Sequence, residues 1–514
     1  MSTATTGFLA PETELPEAKR KLLFWACFVA LIATAFGFVI RSLILDDLGR
    51  AFNMTAVQKG QIAGVGLWPF AISIILFSLV IDRIGYGKAM VFAFACHVIS
   101  AIMTITATSY SQLWWATFIV ALANGTVEAV INPVVATLFP REKTKWLNIL
   151  HAGWPGGMVL GGILTIALGT ADWKMKVGLI LIPTAIYGLL MLGCRFPVNE
   201  RVAAGVSYRD MLREFGFIGA LIASFLVVSE IGRVFSFPTA LTWALIIWLT
   251  VAFGAYVGFA PGRGIFLVLV LIMIPLATTE LGVDSWVTSL MTPEMERLGV
   301  AAGWILVYTA AIMTILRFCA GPIIHKLSPL GLLATCSGIA MVGLFALSKA
   351  TGTTILLAAT LYGIGKTFFW PTMLGVVSEQ FPRGGAMTLN GISGVGMLGV
   401  GIVGAVLLGF IQDTSVERSL AAQHQALHQQ VVVEKRWVFG TYKAVDPEKA
   451  KGLSKSDQQT ITAVEGQAKK EALSTVAVFP LLMLLSYLGL IAYYKARGGY
   501  QAVHLTAEPS SGEA

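Results

Sequence analysis

Residues 139–148 read Phe-Pro-Arg-Glu-Lys-Thr-Lys-Trp-Leu-Asn, and residues 381–390, 242 positions later, read Phe-Pro-Arg-Gly-Gly-Ala-Met-Thr-Leu-Asn. The Phe-Pro-Arg triplet and the Leu-Asn pair recur at the same spacing in both segments. Self-similarity at a fixed offset is the signature of a structure built from repeated units. The chain is therefore predicted to contain two similar halves. The sequence around each copy indicates the secondary structure of these halves.

Long apolar runs surround both copies of the repeat. A bilayer core about 30 Å thick needs roughly 20 helical residues to cross it. Runs of this length recur about fourteen times, at 22–45, 60–81, 88–109, 112–138, 146–170, 175–194, 215–235, 239–260, 264–291, 301–324, 329–348, 353–380, 386–411 and 475–494. The chain is therefore predicted to be an all-α polytopic membrane protein with about fourteen transmembrane helices.

The composition excludes several other classes of protein. Apolar residues make up 56% of the 514 residues and charged residues only 12%, and the mean hydropathy is +0.76, which excludes a soluble protein. The net charge of +8 comes from basic residues scattered between apolar runs rather than clustered in a stripe, so no nucleic-acid partner is predicted. The five cysteines show no pairing or metal-ligand spacing, and no phosphate loop occurs. We therefore predict no metal, no cofactor and no enzymatic activity.

The spacing of the repeat predicts the order of the helices. Six helices with short loops occupy about 195 residues here, so the larger offset leaves room for the two extra runs between the halves. Six, two and six spans are expected, with parallel halves and a binding site at their interface. The predicted segments are an N-terminal tail (1–21), a six-helix half (22–196), a linker with two extra spans (197–262), five helices of the second half (263–411), a polar insertion (412–474), the last helix (475–497) and a C-terminal tail (498–514).

Lys and Arg are divided unevenly between alternating loops. With a cytoplasmic N-terminus, the cytoplasmic loops carry 17 and the opposite loops 7, leaving out residues 412–474 because long loops cross regardless of charge. Both termini are therefore predicted to be cytoplasmic, in a cytoplasmic (inner) membrane, with the 412–474 insertion outside. The insertion is polar and rich in helix formers, which leaves two alternatives: a small helical cap, or a solvated and partly disordered loop.

Short motifs in both halves resemble those of a known transporter family. They are Asn124-Gly-Thr-Val-Glu128-Ala-Val-Ile-Asn132-Pro133 followed by Leu147-Asn148, then Asp82-Arg83-Ile-Gly85-Tyr, Glu280 with Ser285-Trp286, Arg317-Phe318-Cys-Ala-Gly321 and Phe369-Trp370-Pro371-Thr372. Together they resemble the fucose/glucose/galactose proton symporter branch of the major facilitator superfamily. The resemblance implies a 6+6 helix bundle with a central cavity, a rocker-switch carrier, alternating access, and proton coupling through carboxylates in the membrane.

Three features depart from the family pattern. The family usually has Asn-Asp in the first span, where this chain has Arg41-Ser42, so a carboxylate often tied to proton coupling is missing. Lys366 stands in a span where the family usually has uncharged residues. The two extra central spans and the insertion exceed the usual twelve-helix plan. The cavity is therefore expected to be more basic than the family pattern, which suits an acidic solute.

A charged side chain inside a span costs a few kcal/mol on insertion scales, so each one is a functional hypothesis by default. Glu128 has Asn124 and Asn132 one helical turn to either side, so the three share one face, which is expected to line the cavity. The alternative is a structural carboxylate that pairs with a neighbouring helix. Glu280 and Asp284 are also one turn apart, and one of two such close carboxylates is expected to carry a proton. Alternatively, Asp284 lies near the headgroups and is simply solvated.

Two basic residues raise similar alternatives. Arg41 lies near the outer end of its span, so it either reaches the surface, recognises an anion, or pairs with Glu128. Lys366 shares a face with Trp370, and a lysine with an indole suits a sugar or an acid sugar. Alternatively, Trp370 packs on a neighbouring helix while Lys366 pairs with Glu128 or Glu280.

The remaining candidates lie near span ends. Asn148 and Asn390 are repeat mates, and Trp154 follows in a Gly-rich stretch, so these positions suit helix packing as well as solute contact. His151 suits a structural role more than a proton relay. The resemblance implies gating roles for Asp82, Arg83 and Arg317 at cytoplasmic span ends. The predicted substrate-binding residues are Arg41, Asn124, Glu128, Asn132, Trp154, Glu280, Asp284, Lys366, Trp370 and Asn390, and the predicted proton-coupling residues are Glu128, Glu280 and Asp284.

Three hypotheses for the function follow. The first is a secondary active transporter for a monosaccharide or related small polar solute, coupled to protons. The second keeps the fold but makes the solute an organic anion or sugar acid held by Arg41 and Lys366. The third is a transporter-like receptor that acts through residues 412–474. The expected partners are a small-molecule solute and the lipid bilayer, and the oligomeric state stays open.

Overall fold

The structure is a computed structural model, and it describes residues 15–284, 287, 291, 295–300, 303–437 and 440–505. Within this part of the chain, twelve helices are long and apolar enough to cross a bilayer. A thirteenth candidate is a helix pair that bends by 62°. The prediction of an all-α polytopic membrane bundle is confirmed.

The first half contains six spans, three of which are each built from two consecutive helices. Its helices are α1 (Glu17–Ala51), α2 (Ala56–Val65), α3 (Trp68–Ile84), α4 (Tyr86–Ile105), α5 (Tyr110–Leu138), α6 (Lys143–His151), α7 (Gly153–Ala167), α8 (Trp173–Gly178) and α9 (Leu181–Leu192). The broken spans are α2 with α3, α6 with α7, and α8 with α9.

Fifteen further helices form the centre of the described chain and its second half. They are α10 (Glu200–Ala203), α11 (Tyr208–Val234), α12 (Thr239–Val257), α13 (Gly264–Ala277), α14 (Gly303–Phe318), α15 (Ala320–Leu327), α16 (Pro329–Lys349), α17 (Thr354–Lys366), α18 (Phe369–Gln380), α19 (Gly385–Gly399), α20 (Ala405–Gln423), α21 (Gln425–Val431), α22 (Pro447–Lys451), α23 (Lys455–Val476) and α24 (Val478–Lys495). Two π-helical segments, Thr278–Gly282 and Val400–Gly404, and a 3-10 turn, Pro382–Gly384, lie between them.

The predicted span at 353–380 is divided in the structure. It forms α17 and α18, which meet at Thr367 and Phe368, just before Pro371. Proline lacks the amide hydrogen that would continue the helix, which accounts for a break at this place. Counting this pair as one span gives the predicted fourteen, whereas length and composition alone support twelve or thirteen, so the predicted number is approximate.

Burial separates central helices from lipid-facing ones. In the most apolar 18-residue window of α5, 83% of residues are buried inside the protein, whereas in α12 the value is 22%. A helix buried on all sides is a core helix, and a helix exposed around an apolar surface must face lipid. The span that carries Glu128 is therefore central, and the second extra span lies at the periphery.

The two Phe-Pro-Arg segments lie at the same end of the bundle. Lys143, just after the first segment, donates a hydrogen bond to the Ser378 carbonyl, just before the second, at 3.2 Å. We call this the Phe-Pro-Arg end and the opposite end the cap end. The first extra span, α11, packs on the second half, with Phe215 against Gly391. A kink at Gly216, where φ is +73°, brings α11 into contact with the backbone of Gly262, an approach that a side chain at residue 216 would block.

The insertion folds into an ordered cap. Residues Pro382–Gln423 form a 42-residue helical run, which is about twice the roughly 20 residues needed to cross the bilayer core. Beyond it lie α21, α22 and an antiparallel hairpin of β1 (Val432–Trp437) and β2 (Gly440–Val445), and α23 returns towards the membrane. Val416, Leu420 and Ile461 belong to a small separate hydrophobic core. Of the two alternatives for this segment, the structure shows the cap, with a hairpin that the composition did not predict.

Candidate functional site

A buried arginine joins the two halves at the middle of the bundle. Arg317 is 2% exposed. Its Nη2 donates to Glu280 Oε1 at 3.0 Å, its Nε to the Thr367 carbonyl at 2.7 Å, and its Nη1 to the His151 carbonyl at 2.8 Å. His151 belongs to the first half and the other two residues to the second. A planar guanidinium suits this arrangement because its donors point in several fixed directions at once.

This position corrects the placement of Arg317 at a cytoplasmic span end. The residue does lie in the last turn of α14, but the chain then bends and continues as α15. The bent span therefore continues beyond Arg317 to Leu327, close to the end of the predicted run at 301–324, and Arg317 lies inside it. A gating role for Arg317 stays a prediction.

Glu280 is held on both of its oxygens. Oε1 accepts from Arg317, and Oε2 accepts from the backbone amide of Trp370 at 3.0 Å. Trp370 lies in the first turn of α18, where amide groups lack helical partners and attract negative charge. The Trp370 side chain is buried, and the edge of its ring lies against Gly396. The indole therefore packs on a neighbouring helix, and its backbone rather than its ring contacts the charged group.

Glu128 lies in α5 with a different set of contacts. Its Oε2 accepts from Asn132 Nδ2 at 2.7 Å, and Asn132 Oδ1 contacts His151 Nε2 at 2.9 Å. Because Asn132 Oδ1 can only accept, His151 Nε2 must carry a hydrogen. Glu128 also lies close enough to Arg317 for the two charges to interact. Hydrogen bonds thus run from Glu128 through Asn132 and His151 to Arg317, and so to the second half.

Lys366 and Asp284 form a second ion pair. The lysine side chain is buried, with 3% exposed, whereas 44% of the Asp284 side chain is exposed. Lys366 Nζ also lies 5.7 Å from the ring centre of Tyr362, whose hydroxyl donates to the Thr279 carbonyl. Lys366 therefore pairs with Asp284, and not with Glu128 or Glu280 as the sequence analysis considered.

Arg41 lies apart from the described carboxylates. It donates to the Gly37 carbonyl at 3.2 Å and to Ser100 Oγ at 3.1 Å, and its Nε has no hydrogen-bond partner in the part of the chain that the structure describes. Within the described residues it forms no ion pair, so of the alternatives for Arg41 the pairing with Glu128 is not the one that the structure shows. Its two acceptors are neutral, so no described carboxylate compensates its positive charge.

Asn124 faces away from the Glu128 contacts. Its Oδ1 contacts His97 Nε2 at 2.9 Å, and His97 Nδ1 contacts the Tyr187 hydroxyl at 2.9 Å. These groups, with Ser100 and Arg41, form a polar cluster inside the first half. Sequence reasoning missed His97 and Tyr187. A histidine in the middle of an apolar span was the signal that would have drawn attention to this cluster.

Each of the two repeat mates donates a hydrogen bond across the halves. Asn148 Nδ2 donates to Thr372 Oγ1 at 3.2 Å, and Asn390 Nδ2 donates to the Ala129 carbonyl at 2.9 Å. Each asparagine thus reaches from its own half to the opposite one. Trp154 packs against Phe38, with ring centres 5.6 Å apart. These contacts place Asn148 and Asn390 in helix packing between the halves.

The Phe-Pro-Arg end is closed by polar contacts between the halves. Glu379 Oε1 accepts from the backbone amide and hydroxyl of Thr144 at 3.1 and 2.5 Å. Glu379 Oε2 accepts from the Tyr500 hydroxyl at 2.8 Å, and the Glu379 carbonyl accepts from the Val503 amide at 2.8 Å. Lys143 also pairs with Glu200 in the linker at 2.6 Å. The C-terminal tail therefore lies directly on the contact that holds the two halves together.

The other two predicted gating residues lie at the same end. Asp82 pairs with Arg201 of the linker at 2.6 Å, and both side chains are buried. The Arg83 guanidinium lies 4.5 Å from the ring centre of Tyr208 at the start of α11. Ser285 and Trp286, which contributed to the family resemblance, lie outside the described residues.

The comparison with protein families gives one match over most of the chain. The family described as Major Facilitator Superfamily matches residues 25–405. The chain is 23% identical over 172 residues to a cis,cis-muconate transport protein of Acinetobacter baylyi, which covers 33% of this chain and 42% of that protein. It is 24% identical over 150 residues to a probable sugar efflux transporter of Helicobacter pylori, which covers 29% of this chain and 38% of that protein. The chain thus matches about two fifths of the length of these relatives.

Solved structures share the fold over nearly the whole chain. The E. coli fucose:proton symporter FucP aligns with a TM-score of 0.56 at 16% identity, covering 90% of this chain and 99% of FucP. The proton:xylose symporter XylE, bound to 6-bromo-6-deoxy-D-glucose, aligns with a TM-score of 0.63 at 12% identity, covering 96% of this chain and 99% of XylE. At such identities the likeness concerns the fold.

Proposed function

The chain belongs to the Major Facilitator Superfamily, and on that premise we propose that it is a secondary active transporter that couples proton movement to a small polar solute through Glu128. Its family consists of membrane transporters, so a multi-pass membrane location and a small-molecule solute follow from the family. The solute, the coupling ion and the coupling residue are the proposal.

The contacts of Glu128 carry this proposal. Glu128 is 6% exposed, yet within the described residues it forms no ion pair and accepts one hydrogen bond, from Asn132. Glu280, by contrast, is committed to Arg317 and to the start of α18. A buried carboxylate without a fixed cation is the group that can take up and release a proton without breaking the fold.

The proposed solute is a monosaccharide or a related polar molecule. The names of the similar proteins support a sugar, since they include a sugar efflux transporter and the fucose and xylose symporters. A thermal-shift screen of the purified protein against neutral sugars, sugar acids and other organic anions would identify the class, because bound ligand stabilises the folded state.

Uptake into proteoliposomes tests the coupling. With the solute found in the screen, an imposed proton gradient should drive accumulation by the wild-type protein. In Glu128→Gln, gradient-driven accumulation should fall at least about tenfold, while exchange between equal solute pools should persist because that exchange needs no net proton movement. Uptake by the wild-type protein that is indifferent to the gradient would refute proton coupling.

The matched control is Glu230→Gln in the first extra span. Glu230 is also buried, with 7% exposed, but it pairs with Arg233 and takes no part in the contacts around Arg317. This variant should accumulate solute like the wild type. An equal loss in both variants would mean that Glu128 has no special role in coupling.

A second candidate is an organic-anion carrier that uses Arg41 and Lys366, and the uncompensated charge of Arg41 favours it. The name of the similar cis,cis-muconate transport protein also points to an acid, since muconate is a dicarboxylate. A planar guanidinium binds a carboxylate at two points.

Arg41→Gln should then abolish the thermal response to acids and leave the response to neutral sugars. Arg50→Gln, an exposed residue on the same helix that pairs with Asp47, is the control. The reverse pattern would reject this candidate.

The third hypothesis, a receptor that acts through the cap, has a direct test. Replacing residues 424–454 by a short Gly-Ser linker removes the hairpin and leaves α20 and α23, which continue into the membrane spans. Proton-driven uptake that survives this change would remove the reason for a receptor.

The proposed location is the cytoplasmic membrane, with both termini and the Phe-Pro-Arg end in the cytoplasm, as the distribution of Lys and Arg favours. The exposed Cys319 is first replaced by serine. A cysteine introduced at exposed Lys326, at the Phe-Pro-Arg end, should then resist a membrane-impermeant maleimide added to intact cells. Labelling from outside would reverse the proposed topology.

A further inference from the structure

Several backbone carbonyls inside the bundle accept hydrogen bonds from side chains of other helices, and three of them share a feature of the sequence. These three belong to Ala129, His151 and Thr367. Each lies four residues before a proline, namely Pro133, Pro155 and Pro371. In a helix the carbonyl of residue i accepts from the amide of residue i+4, and proline has no amide hydrogen. The prolines therefore leave these three carbonyls free for other donors.

Two of the three carbonyls bind the same side chain. Arg317 donates to the His151 carbonyl in the first half and to the Thr367 carbonyl in the second. A buried carbonyl without a donor is costly, and so is a buried guanidinium without acceptors. The carbonyls of His151 and Thr367 accept from the guanidinium, so both groups are satisfied. These carbonyls are free because Pro155 and Pro371 lack the amide hydrogens that would otherwise bond them.

The two carbonyls differ in what they connect. Thr367 and Glu280 belong to the same half as Arg317, so these bonds can persist while the halves move. The bond from Arg317 Nη1 to His151, 2.8 Å long, is the one that crosses between the halves. It forms here together with the contacts of Thr144 and Glu379 that close the Phe-Pro-Arg end.

We propose that Pro155 and Pro371 are positioning residues for Arg317: Pro371 fixes the guanidinium within the second half, and Pro155 supplies the carbonyl by which Arg317 holds the Phe-Pro-Arg end closed. Opening of that end breaks the Arg317–His151 bond and leaves the bonds to Thr367 and Glu280 intact. This inference rests on the alternating access of the proposed function.

The test measures the distance across the Phe-Pro-Arg end. Spin labels are attached to cysteines at Lys88 and Lys326, which are exposed on opposite halves at this end, in a protein with Cys319 replaced by serine. Pro155→Ala restores an amide that competes for the His151 carbonyl. A net hydrogen bond changes an equilibrium by about two- to tenfold, so the ratio of long to short distances should rise by about that factor.

Two further variants complete the test. Pro275→Ala is the control, because Pro275 also lies inside a helix but no described side chain donates to the Leu271 carbonyl, four residues before it. Arg317→Lys keeps a positive charge near Glu280 but cannot reach both carbonyls. It should raise the ratio as Pro155→Ala does. Distances in Pro155→Ala and Arg317→Lys that match those of Pro275→Ala and the wild type would overturn the inference.

The outcomes separate this inference from the proposed function, because the distance measurement needs no solute. Unchanged distances with intact proton-driven uptake would reject only the role of Pro155. A shifted ratio in a protein whose uptake ignores a proton gradient would reject the proposed coupling and leave the role of Pro155 standing.

Discussion

Glu128 and Glu280 lie in opposite halves, and both are almost fully buried, at 6% and 4% exposed. Glu280 accepts from a guanidinium and from the start of a helix, so both of its oxygens are occupied by protein donors. Glu128 accepts from one neutral amide. The difference shows that burial alone does not assign a role to a membrane carboxylate. The partners differ: Glu280 is bonded to the buried Arg317, whereas Glu128 forms no ion pair within the described residues.

The largest effect should come from removing the charge of Glu280. Glu280→Gln leaves Arg317 buried without its anion, and breaking a buried pair in this way costs about 3–5 kcal/mol. Glu128→Gln keeps the hydrogen-bonding shape and strands no cation, so it should cost less than about 1 kcal/mol. Thermal unfolding of both variants in the same detergent measures the difference. Equal losses of stability in the two variants would contradict the assigned difference between the two carboxylates.

A smaller effect should distinguish the two ends of the second ion pair. Asp284→Asn leaves Lys366 buried and unpaired, whereas Lys366→Gln leaves Asp284, whose side chain is 44% exposed, in contact with water. We expect a loss of about 2–3 kcal/mol for Asp284→Asn and about 1 kcal/mol for Lys366→Gln. The same unfolding measurement applies. If Lys366→Gln were the more damaging change, the lysine would have a role beyond this pair.

The smallest effect concerns the tail on the Phe-Pro-Arg end. Tyr500→Phe removes the bond to Glu379 and should speed hydrogen exchange of the segment around Thr144 by about two- to tenfold. Tyr493→Phe, which alters a partly exposed ring beside Arg497, is the control. Faster exchange confined to the tail itself would show that the tail does not support the contact between the halves.

This tail contact should not depend on pH in the physiological range. Burial, with the nearby Glu379 carboxylate, raises the pKa of Tyr500 well above its ordinary value. The stabilising effect of a raised pKa is complete below the unfolded value of about 10 and is lost only as the pH rises further. Exchange of the Thr144 segment should therefore respond to Tyr500→Phe equally at pH 6 and pH 8. A response at only one of these pH values would contradict this assignment.

Much of the fold could be predicted from the sequence because bilayer crossing imposes a length and an apolarity on each helix. The contact between Glu128 and Asn132 was predictable for a similar reason, since residues four apart meet on one helix face. The repeat also pointed to Asn148 and Asn390, although their bonds across the halves were not foreseen.

Partners on different helices could not be predicted in the same way. Whether Lys366 meets Asp284 or Glu280 depends on how helices tilt and rotate against their neighbours, which hydropathy does not report. Asn124 shows the same limit: it shares a face with Glu128 in the sequence pattern but bonds His97 in the structure. Arg317 lies inside its predicted run of 301–324, but its bonds to His151 and Thr367 depend on how the helices pack, which hydropathy does not report.

The cap is connected to the second half through the 42-residue helical run from Pro382 to Gln423. One end of the run begins at the contact between the halves, and the other carries the cap core through Val416 and Leu420. The cap core is attached to the far end of this run, so a rotation of the second half would displace the cap core as well. A fluorophore attached to the cap would thus report the motion of the second half at a position beyond the ends of the spans.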